Sequence, residues 1–162
     1  MAEIKKTPET AAAKETDEMA ERADMENAWR HFVESYDIHV PEETVENEFR
    51  YITLEMRHRL QYDTLTNHTP HINARAELAA RENEYRKLAY YEAKSELVTK
   101  KLLADWQPAV THEELEKEAS ALAVRQNTTV NMVKRFFGED LAMLERDIKE
   151  RKVRERAVKF RG

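Results

Sequence analysis

Histidine is the residue type in this chain best suited to bind a metal, and several histidines lie in or near one loop. His68 and His71 are three positions apart, and His39 and His58 lie not far before them. Two histidines in a non-helical loop do not fix a ligand geometry, and the chain has no cysteine to complete a zinc site. We therefore expect an exposed turn, with no metal site and no cofactor.

Paired carboxylates are the other candidates for chemistry, because a neighbouring acid and base can share a proton transfer. Glu46 and Glu48 form one such pair, and Glu113 and Glu114 form another. Both pairs lie at predicted helix starts, where capping and the helix dipole explain acidic residues. No nucleophile with a supporting histidine and turn accompanies them. We expect no catalytic residue and predict that the chain is not an enzyme.

The composition favours helices and disfavours folds that depend on glycine. Charged residues make up 36% of the chain, and only two residues are glycine. A β-barrel, a dinucleotide-binding crevice or a phosphate loop needs glycine for positive φ or close backbone approach. The lack of cysteine fits a reducing cytoplasm. No apolar run is long enough for a membrane span, and the first residues lack the apolar core of a secretory signal. These features predict an all-α, cytoplasmic protein.

The spacing of apolar residues divides the first two thirds of the chain into helices. Residues 1–23 are charged and lack apolar periodicity, which predicts a flexible N-terminal arm before a folded domain over 24–162. A short helix capped by Asp24 should come first. Pro41 should then be the first residue of a helix that ends near Tyr62. The longest helix is predicted over 74–106, where no Gly or Pro interrupts the pattern.

The length of that third helix predicts an elongated molecule. About 30 helical residues span about 45–50 Å, which exceeds the width of a compact domain of this size. The second and third helices are joined by a loop rich in turn-forming residues and should pair antiparallel. The expected fold is an elongated, multi-helix, all-α domain with a long antiparallel helical hairpin and helical arms.

Capping residues predict three more helices near the C-terminus. Thr111 and Glu114 have the spacing of a capping box. Thr128 should cap a short helix that ends at Gly138, where glycine can take the left-handed conformation. The last helix should begin near Glu139.

The charge is unevenly distributed along the chain. The net charge is −5, yet residues 149–161 hold seven Lys or Arg and two Glu, which leaves −10 on residues 1–148. Such a basic helix could meet nucleic acid or an acidic partner. A cationic helix end with a solvated face is the alternative that we favour, because only Phe160 interleaves with the charges and could stack on a base. Nucleic acid is therefore not an expected partner.

Apolar stripes on the predicted helices are candidates for a contact surface. An elongated hairpin with few layers cannot bury every stripe, and exposed apolar patches are often binding sites. Whether a given stripe is core or binding surface stays open from the sequence. The candidate peptide-binding residues are Val45, Phe49, Ile52, Met56, Tyr85, Tyr90, Tyr91, Met132, Phe136 and Phe137.

Several short motifs together resemble one known family. They include the junction Ile38-x-Val40-Pro41-Glu42, the segment Val110-Thr111 followed by Glu114-Leu115, the segment Val133 to Phe137, and the helix Leu144 to Val153. Their order and spacing over residues 24–162 are similar to the C-terminal, substrate-cradling domain of trigger factor, the bacterial ribosome-associated folding chaperone. The helical domains of SurA-type and PrsA-type foldases have a related architecture.

The resemblance implies an ATP-independent chaperone module without a cofactor or small-molecule substrate. It would bind exposed apolar segments of unfolded or nascent polypeptides and assist protein folding. The resemblance also implies a role in protein transport and no membrane partner. The family's ribosome-docking run, Gly-Phe-Arg-x-Gly-Lys-x-Pro, and its glycine-rich prolyl isomerase domain have no counterpart in this sequence. Whether the chain is a stand-alone short relative or part of a longer trigger factor is left open. The alternative function is a structural or adaptor protein that pairs its apolar stripes with a defined partner or with itself, and a homodimer is one form this could take.

Overall fold

Most of the residues that the structure describes lie in helices. The structure is a computed structural model that describes residues 8–67, 71, 73–138 and 140–159, with the backbone alone for 8–10. Within these ranges there are seven α-helices and no strand, which confirms the predicted all-α class. The helices are α1 (Pro8–Ser35), α2 (Glu42–Thr66), α3 (Ala74–Ala80), α4 (Glu82–Trp106), α5 (His112–Arg125), α6 (Val130–Phe137) and α7 (Ala142–Lys159).

The chain divides into two compact units, which are described separately. Unit 1 consists of Met1–Phe32 and Leu102–Gly162, and unit 2 consists of Val33–Lys101. The predicted division between a flexible arm and a folded domain, between residues 23 and 24, falls inside a helix and stays a prediction.

Helix α1 begins at Pro8 and not at Asp24, where the sequence pattern placed it. Residues 1–7 of the predicted arm lie outside the described residues, but residues 8–23 are helical. Side chains 11–27 are exposed, so this part of α1 lacks the buried stripe on which the sequence interpretation relied. Alanine, glutamate and lysine favour helix even without apolar periodicity, which explains the earlier start.

Unit 2 is built on the antiparallel pairing of α2 with α3 and α4. Glu46 near the start of α2 contacts Arg86 of α4, with 2.7 Å between Oε1 and Nη1. Asp63 near the end of α2 contacts His71, just before α3, at 2.6 Å. The start of α2 thus lies beside α4, and the end of α2 lies beside the start of α3. The helices therefore run in opposite directions, which confirms the predicted antiparallel hairpin.

The two ends of α2 show how local chemistry sets its boundaries. Pro41 is the N-cap, with φ −60° and ψ 137°, and the helix proper begins at Glu42 rather than at Pro41. The carbonyl of Pro41 still accepts the first helical hydrogen bond, from the Val45 N–H at 3.3 Å. Helix α2 continues past the predicted end at Tyr62 to Thr66.

The long third helix of the sequence prediction is interrupted at Arg81. The Arg81 N–H donates to the carbonyl of Leu78 at 3.2 Å, a tighter turn than in an α-helix, and α4 begins at Glu82. No glycine or proline marks this break. The predicted continuous helix is therefore wrong at Arg81, where a turn in the backbone separates a seven-residue helix from α4.

Unit 1 contains a core between α5, α6 and α7. Its buried residues are Ala119, Ala123, Val133, Leu141 and Leu144, and the half-buried residues packed against them are Leu115, Leu122, Val130 and Phe137. The buried residues of α5 are Ala119 and Ala123. Because alanine has a small side chain, the backbone of α5 can approach the neighbouring helices closely.

Threonine caps open both shorter helices of this unit. The Thr111 hydroxyl accepts from the Glu114 N–H at 3.2 Å, which confirms the predicted capping box. The cap of α6 is Thr129, whose hydroxyl accepts from the Met132 N–H at 3.3 Å, and not Thr128 as predicted. The two threonines are adjacent, and their order alone did not show which of them has the extended backbone of a cap.

The joint between α6 and α7 has unusual backbone angles. Gly138 has φ 90° and ψ 154°, so the expected positive φ is confirmed, but the conformation is the extended one reserved for glycine rather than the left-handed helical one. Leu141 also has a positive φ of 53° although it is buried. The Asp140 carboxylate accepts from the Ala142 N–H at 3.2 Å, so α7 begins at Ala142 and not at Glu139, which lies outside the described residues.

Candidate functional site

The apolar stripe of α2 that the sequence offered as a binding surface belongs mostly to the core of unit 2. Ile52 is 5% exposed and packs with Tyr85 and Ala89, and Val45, Phe49 and Met56 are half-buried against the same cluster. The Arg86 guanidinium lies over the Phe49 ring, 4.1 Å from its centroid. This stripe holds α2 to α4 and offers little free surface.

The three tyrosines of the candidate set have different environments. Tyr85 is 6% exposed in the core of unit 2, Tyr91 is half-buried, and Tyr90 is exposed. Ile52 and Tyr85 are therefore unable to contact a partner in this conformation.

The remaining candidates lie together on α6 and border an apolar groove. Phe136 is 82% exposed and Met132 is 51% exposed, while Phe137 is half-buried against the core of unit 1. The rings of Phe136 and Phe137 meet edge to face, with centroids 5.0 Å apart. The groove has a volume of about 410 Å³ and is lined by Leu122, Gln126, Thr128, Met132, Val133, Phe136 and Phe137.

The composition of this α5–α6 groove favours an apolar ligand. Only Gln126 and Thr128 contribute polar side chains to its lining. Two charged residues of these helices are engaged elsewhere: Lys134 pairs with Glu116 at 3.2 Å, and Arg125 pairs with Glu118 at 3.5 Å. Such a groove can bury an apolar side chain and offers little to orient a polar one.

Sequence reasoning missed a second apolar surface, on the face of α2 that points away from the core of unit 2. We call it the outer stripe, and it consists of the exposed residues Tyr51, Leu54, His58, Tyr62 and Leu65. The spacing of these residues is visible in the sequence, but the sequence does not show which of the two stripes of α2 is exposed.

In the histidine loop of the sequence analysis, His71 forms ionic contacts with two carboxylates. His71 lies between two carboxylates, with Asp63 at 2.6 Å from Nε2 and Glu77 at 3.0 Å from Nδ1. Hydrogen bonds from the ring to Asp63 and then to Glu77 raise the pKa of His71, and bonds from Asn67 and His71 lower the pKa of Asp63. In its protonated form the His71 ring donates from both nitrogens and then has no lone pair for a metal.

The described residues hold no group of three or more acidic or histidine side chains able to bind a metal ion. Three of the loop's residues, 68–70, lie outside the described ranges. The expectation that this chain has no metal site stays a prediction for the loop as a whole.

The paired carboxylates lie on α2 and α5, and one member of each pair has a cationic partner: Glu46 contacts Arg86, and Glu114 contacts Lys152. Glu114 contacts Lys152 at 2.5 Å, and hydrogen bonds from Lys152 and from Thr111 lower the pKa of Glu114. Burial, followed by repulsion from Glu92 and Glu96, raises the pKa of Glu48. That these carboxylates are not catalytic stays a prediction.

The basic C-terminal helix uses several of its cations inside unit 1. Lys152 also donates to the carbonyl of Ala109 at 2.7 Å, and Arg151 contacts Glu118 at 3.4 Å. Arg154 lies 5.4 Å from the ring centroid of Trp29. These contacts favour the structural interpretation of α7 over nucleic-acid binding. Phe160, the only candidate for stacking, lies outside the described residues.

Comparison with known protein families shows to which family the chain belongs. The family described as bacterial trigger factor protein (TF) C-terminus matches residues 1–159, nearly the whole chain. The chain belongs to the trigger factor C-terminal domain family. No curated protein and no solved structure matches it.

Membership of the trigger factor family confirms the resemblance and explains the all-α fold. The trigger factor C-terminal domain is associated with a chaperone and with the binding of unfolded polypeptides in general, and it is not itself a catalytic domain. Among the helices that the structure describes, none is both long enough and apolar enough to cross a membrane.

Proposed function

We propose that this trigger factor domain is an ATP-independent chaperone module that binds exposed apolar segments of unfolded or nascent polypeptides in the α5–α6 groove. The observation that carries the proposal is the exposure of Phe136 and Met132 beside a groove with an apolar lining. In a bacterial cytoplasm the module would assist folding without a cofactor.

The size of the groove suggests which part of a client it takes. A volume of about 410 Å³ lies at the lower end of the range of about 300–1,000 Å³ for ligand pockets. It accommodates one or two large apolar side chains rather than a folded surface. Any sequence that exposes leucine, phenylalanine or methionine would fit, as methionine and phenylalanine adapt to many partners.

The energetics favour weak and reversible binding. Burying one large apolar side chain contributes about 1.5–3 kcal/mol, and a client segment must also lose conformational freedom. Two or three such contacts correspond to dissociation constants of about micromolar to millimolar. Clients would therefore leave without energy from a nucleotide.

The alternative function is an adaptor that pairs an apolar surface with one defined partner or with itself. The outer stripe on α2 favours it, because this face repeats its apolar residues at regular spacing along one helix. Groove and stripe lie on different helices, so variants can test the two functions independently.

The test is suppression of light scattering when a denatured client protein is diluted into buffer. The variant Met132→Ser with Phe136→Ser removes the apolar rim of the groove. The matched control is Met19→Ser with Met143→Ser, which removes two exposed methionines of unit 1 that do not line the groove. Circular dichroism checks that all variants keep their helices.

We expect the wild type and the control to suppress scattering equally, and the groove variant to lose at least half of the effect. No suppression by the wild type at several-fold molar excess contradicts chaperone function. Equal suppression by wild type and groove variant would place client binding elsewhere.

A further inference from the structure

The α5–α6 groove contains a sulfur atom that water-borne oxidants can reach. The chain has six methionines and no cysteine, so methionine is its only sulfur-containing residue type. Met132 is the one methionine in the lining of the groove, and it is 51% exposed. Because no thiol competes for a mild oxidant, the exposed thioethers are the groups of this chain that such an oxidant modifies.

The position of Met132 on α6 places its thioether among the other residues of the groove. Met132 and Phe136 are four residues apart, so their side chains lie on the same face of the helix. Side chains in a helix lean toward its N-terminus, which is the direction of Thr128 in the same lining. Along the axis of α6, Met132 therefore lies between the exposed ring of Phe136 and the polar side chain of Thr128.

We propose that Met132 is an oxidation site that regulates the α5–α6 groove: a peroxide converts its thioether to the sulfoxide, and the oxidised groove binds apolar client segments more weakly. The effect on clients rests on the proposed chaperone function. In the reaction the sulfur attacks one peroxide oxygen, the O–O bond breaks and an S–O bond forms. The other oxygen takes the remaining proton and leaves as water. The sulfur loses two electrons and the peroxide gains them, so the peroxide is the only co-reactant.

The sulfoxide weakens client binding because it places a polar group in an apolar lining. Oxidation converts a flexible apolar side chain into a polar one. An apolar client side chain in the groove would then displace water from the S–O group without replacing its hydrogen bonds. Gln126 and Thr128 carry hydrogen-bond donors in the same lining. A sulfoxide that accepts from them competes with the client for the groove.

Other methionines of the chain serve as internal controls. Met19 and Met143 are 62% and 60% exposed, so a peroxide should oxidise them as well, but neither lines the groove. Met56 is half-buried against the core of unit 2 and should react more slowly. Oxidation at these positions leaves the lining of the groove unchanged, so loss of client binding should follow the oxidation of Met132 alone.

Replacing Met132 by leucine tests the proposal, because leucine has nearly the volume of methionine and no sulfur. The matched control is Met143→Leu, which removes an exposed methionine outside the groove. Each chain is treated with hydrogen peroxide, the peroxide is removed, and mass spectrometry of proteolytic fragments gives the oxidised fraction at every methionine. Fluorescence anisotropy then measures binding of a fluorescein-labelled synthetic peptide of leucine, phenylalanine, serine and lysine, which contains no sulfur.

Oxidation should weaken peptide binding by the wild type and by Met143→Leu at least about five-fold, which corresponds to about 1 kcal/mol. Before oxidation, Met132→Leu should bind the peptide within about two-fold of the wild type, and its affinity should not change after oxidation. Met132→Gln, which introduces a polar group on a side chain of similar length, should bind weakly without any oxidant. Methionine sulfoxide reductases for both sulfoxide epimers should restore the affinity of the oxidised wild type.

Several results would overturn the proposal. If Met132 stays reduced while Met19 and Met143 are oxidised, its sulfur is not accessible. If Met132 is fully oxidised and peptide binding is unchanged, the sulfoxide has no effect on the groove, and the proposed function stands without this regulation. An equal loss of affinity in oxidised Met132→Leu assigns the effect to another methionine, and a loss of helicity by circular dichroism assigns it to unfolding.

Failure of the proposed function gives a different result. A reduced wild type that binds no peptide at about 1 mM contradicts client binding in the groove and overturns the regulation with it. A reduced wild type that binds the peptide, and loses it only when Met132 is oxidised, supports both.

Discussion

Replacing Ile52 by alanine should destabilise unit 2 strongly, because Ile52 is the one buried residue of α2. Ile52 is 5% exposed and lies against Tyr85 and Ala89, which are themselves buried. The matched control is Leu54→Ala, since Leu54 is on the same helix, has a side chain of the same size, and is 48% exposed.

The expected loss follows from what Ile52→Ala removes. Three carbon atoms leave the core, which costs about 2.4 kcal/mol at about 0.8 kcal/mol each. Neighbouring helices do not close the resulting cavity fully, so the observed cost should be about 3–4 kcal/mol, within the usual range for isoleucine to alanine. Leu54→Ala should cost less than about 1 kcal/mol, because most of its side chain is already in water.

Urea denaturation followed by circular dichroism measures both losses. The midpoint of Ile52→Ala should fall well below that of the control without a change in slope. If the two variants lose stability equally, then the inner face of α2 is not a packed core, and the assignment of its stripe to unit 2 is wrong.

Three further predictions concern side-chain charge and backbone conformation at other positions. Because its pKa is raised, His71 should stabilise the hairpin fully below about pH 6.5 and lose this contribution as the pH rises through its folded-state pKa. Hydrogen exchange of α3 in wild type and in His71→Gln should therefore differ at acidic pH and converge at alkaline pH. Glu48→Gln should stabilise the chain at neutral pH, where the raised pKa makes the charged carboxylate unfavourable, and the gain in urea midpoint should vanish below about pH 4.5. Gly138→Ala should cost more than about 1 kcal/mol in the same denaturation assay, because φ is 90° and the added carbon would lie 3.3 Å from an Asp140 oxygen; an unchanged midpoint would show that the joint adapts.

Much of the fold could be predicted because its signals are local. The capping box at Thr111 needs only residues three apart, and the inner stripe of α2 needs only helical periodicity. The wrong helix boundaries lie where contacts with other parts of the chain decide between local conformations that the sequence favours almost equally. Thr128 and Thr129 are both suitable caps, and nothing in the composition around Arg81 marks a break.

The candidate site could be predicted less well, because exposure is a tertiary property. Phe136 and Phe137 are adjacent phenylalanines, yet Phe136 is 82% exposed and Phe137 packs on the core of unit 1. Which residue faces outward depends on how α6 docks on α5 and α7. The same reason explains why Ile52 and Tyr85 looked like surface candidates and are core residues.

A buried lysine shows a further limit of sequence reasoning. Lys94 is 8% exposed, and its ammonium group donates to the carbonyl of Glu34 at 3.0 Å, close to the end of α1. A cation at a helix C-terminus is favourable, but only the tertiary structure brings this lysine to a helix that ends about 60 positions earlier in the chain.

The joint between α6 and α7 places opposite demands on Leu141. Its backbone, at φ 53°, suits glycine or asparagine, whereas its side chain is 2% exposed in the core of unit 1 and suits a large aliphatic residue. No natural amino acid satisfies both requirements, so each substitution exchanges backbone strain for lost packing or the reverse. Position 141 should therefore tolerate few residues in a deep mutational scan, although it lies in a short connection where most residue types would otherwise be accepted.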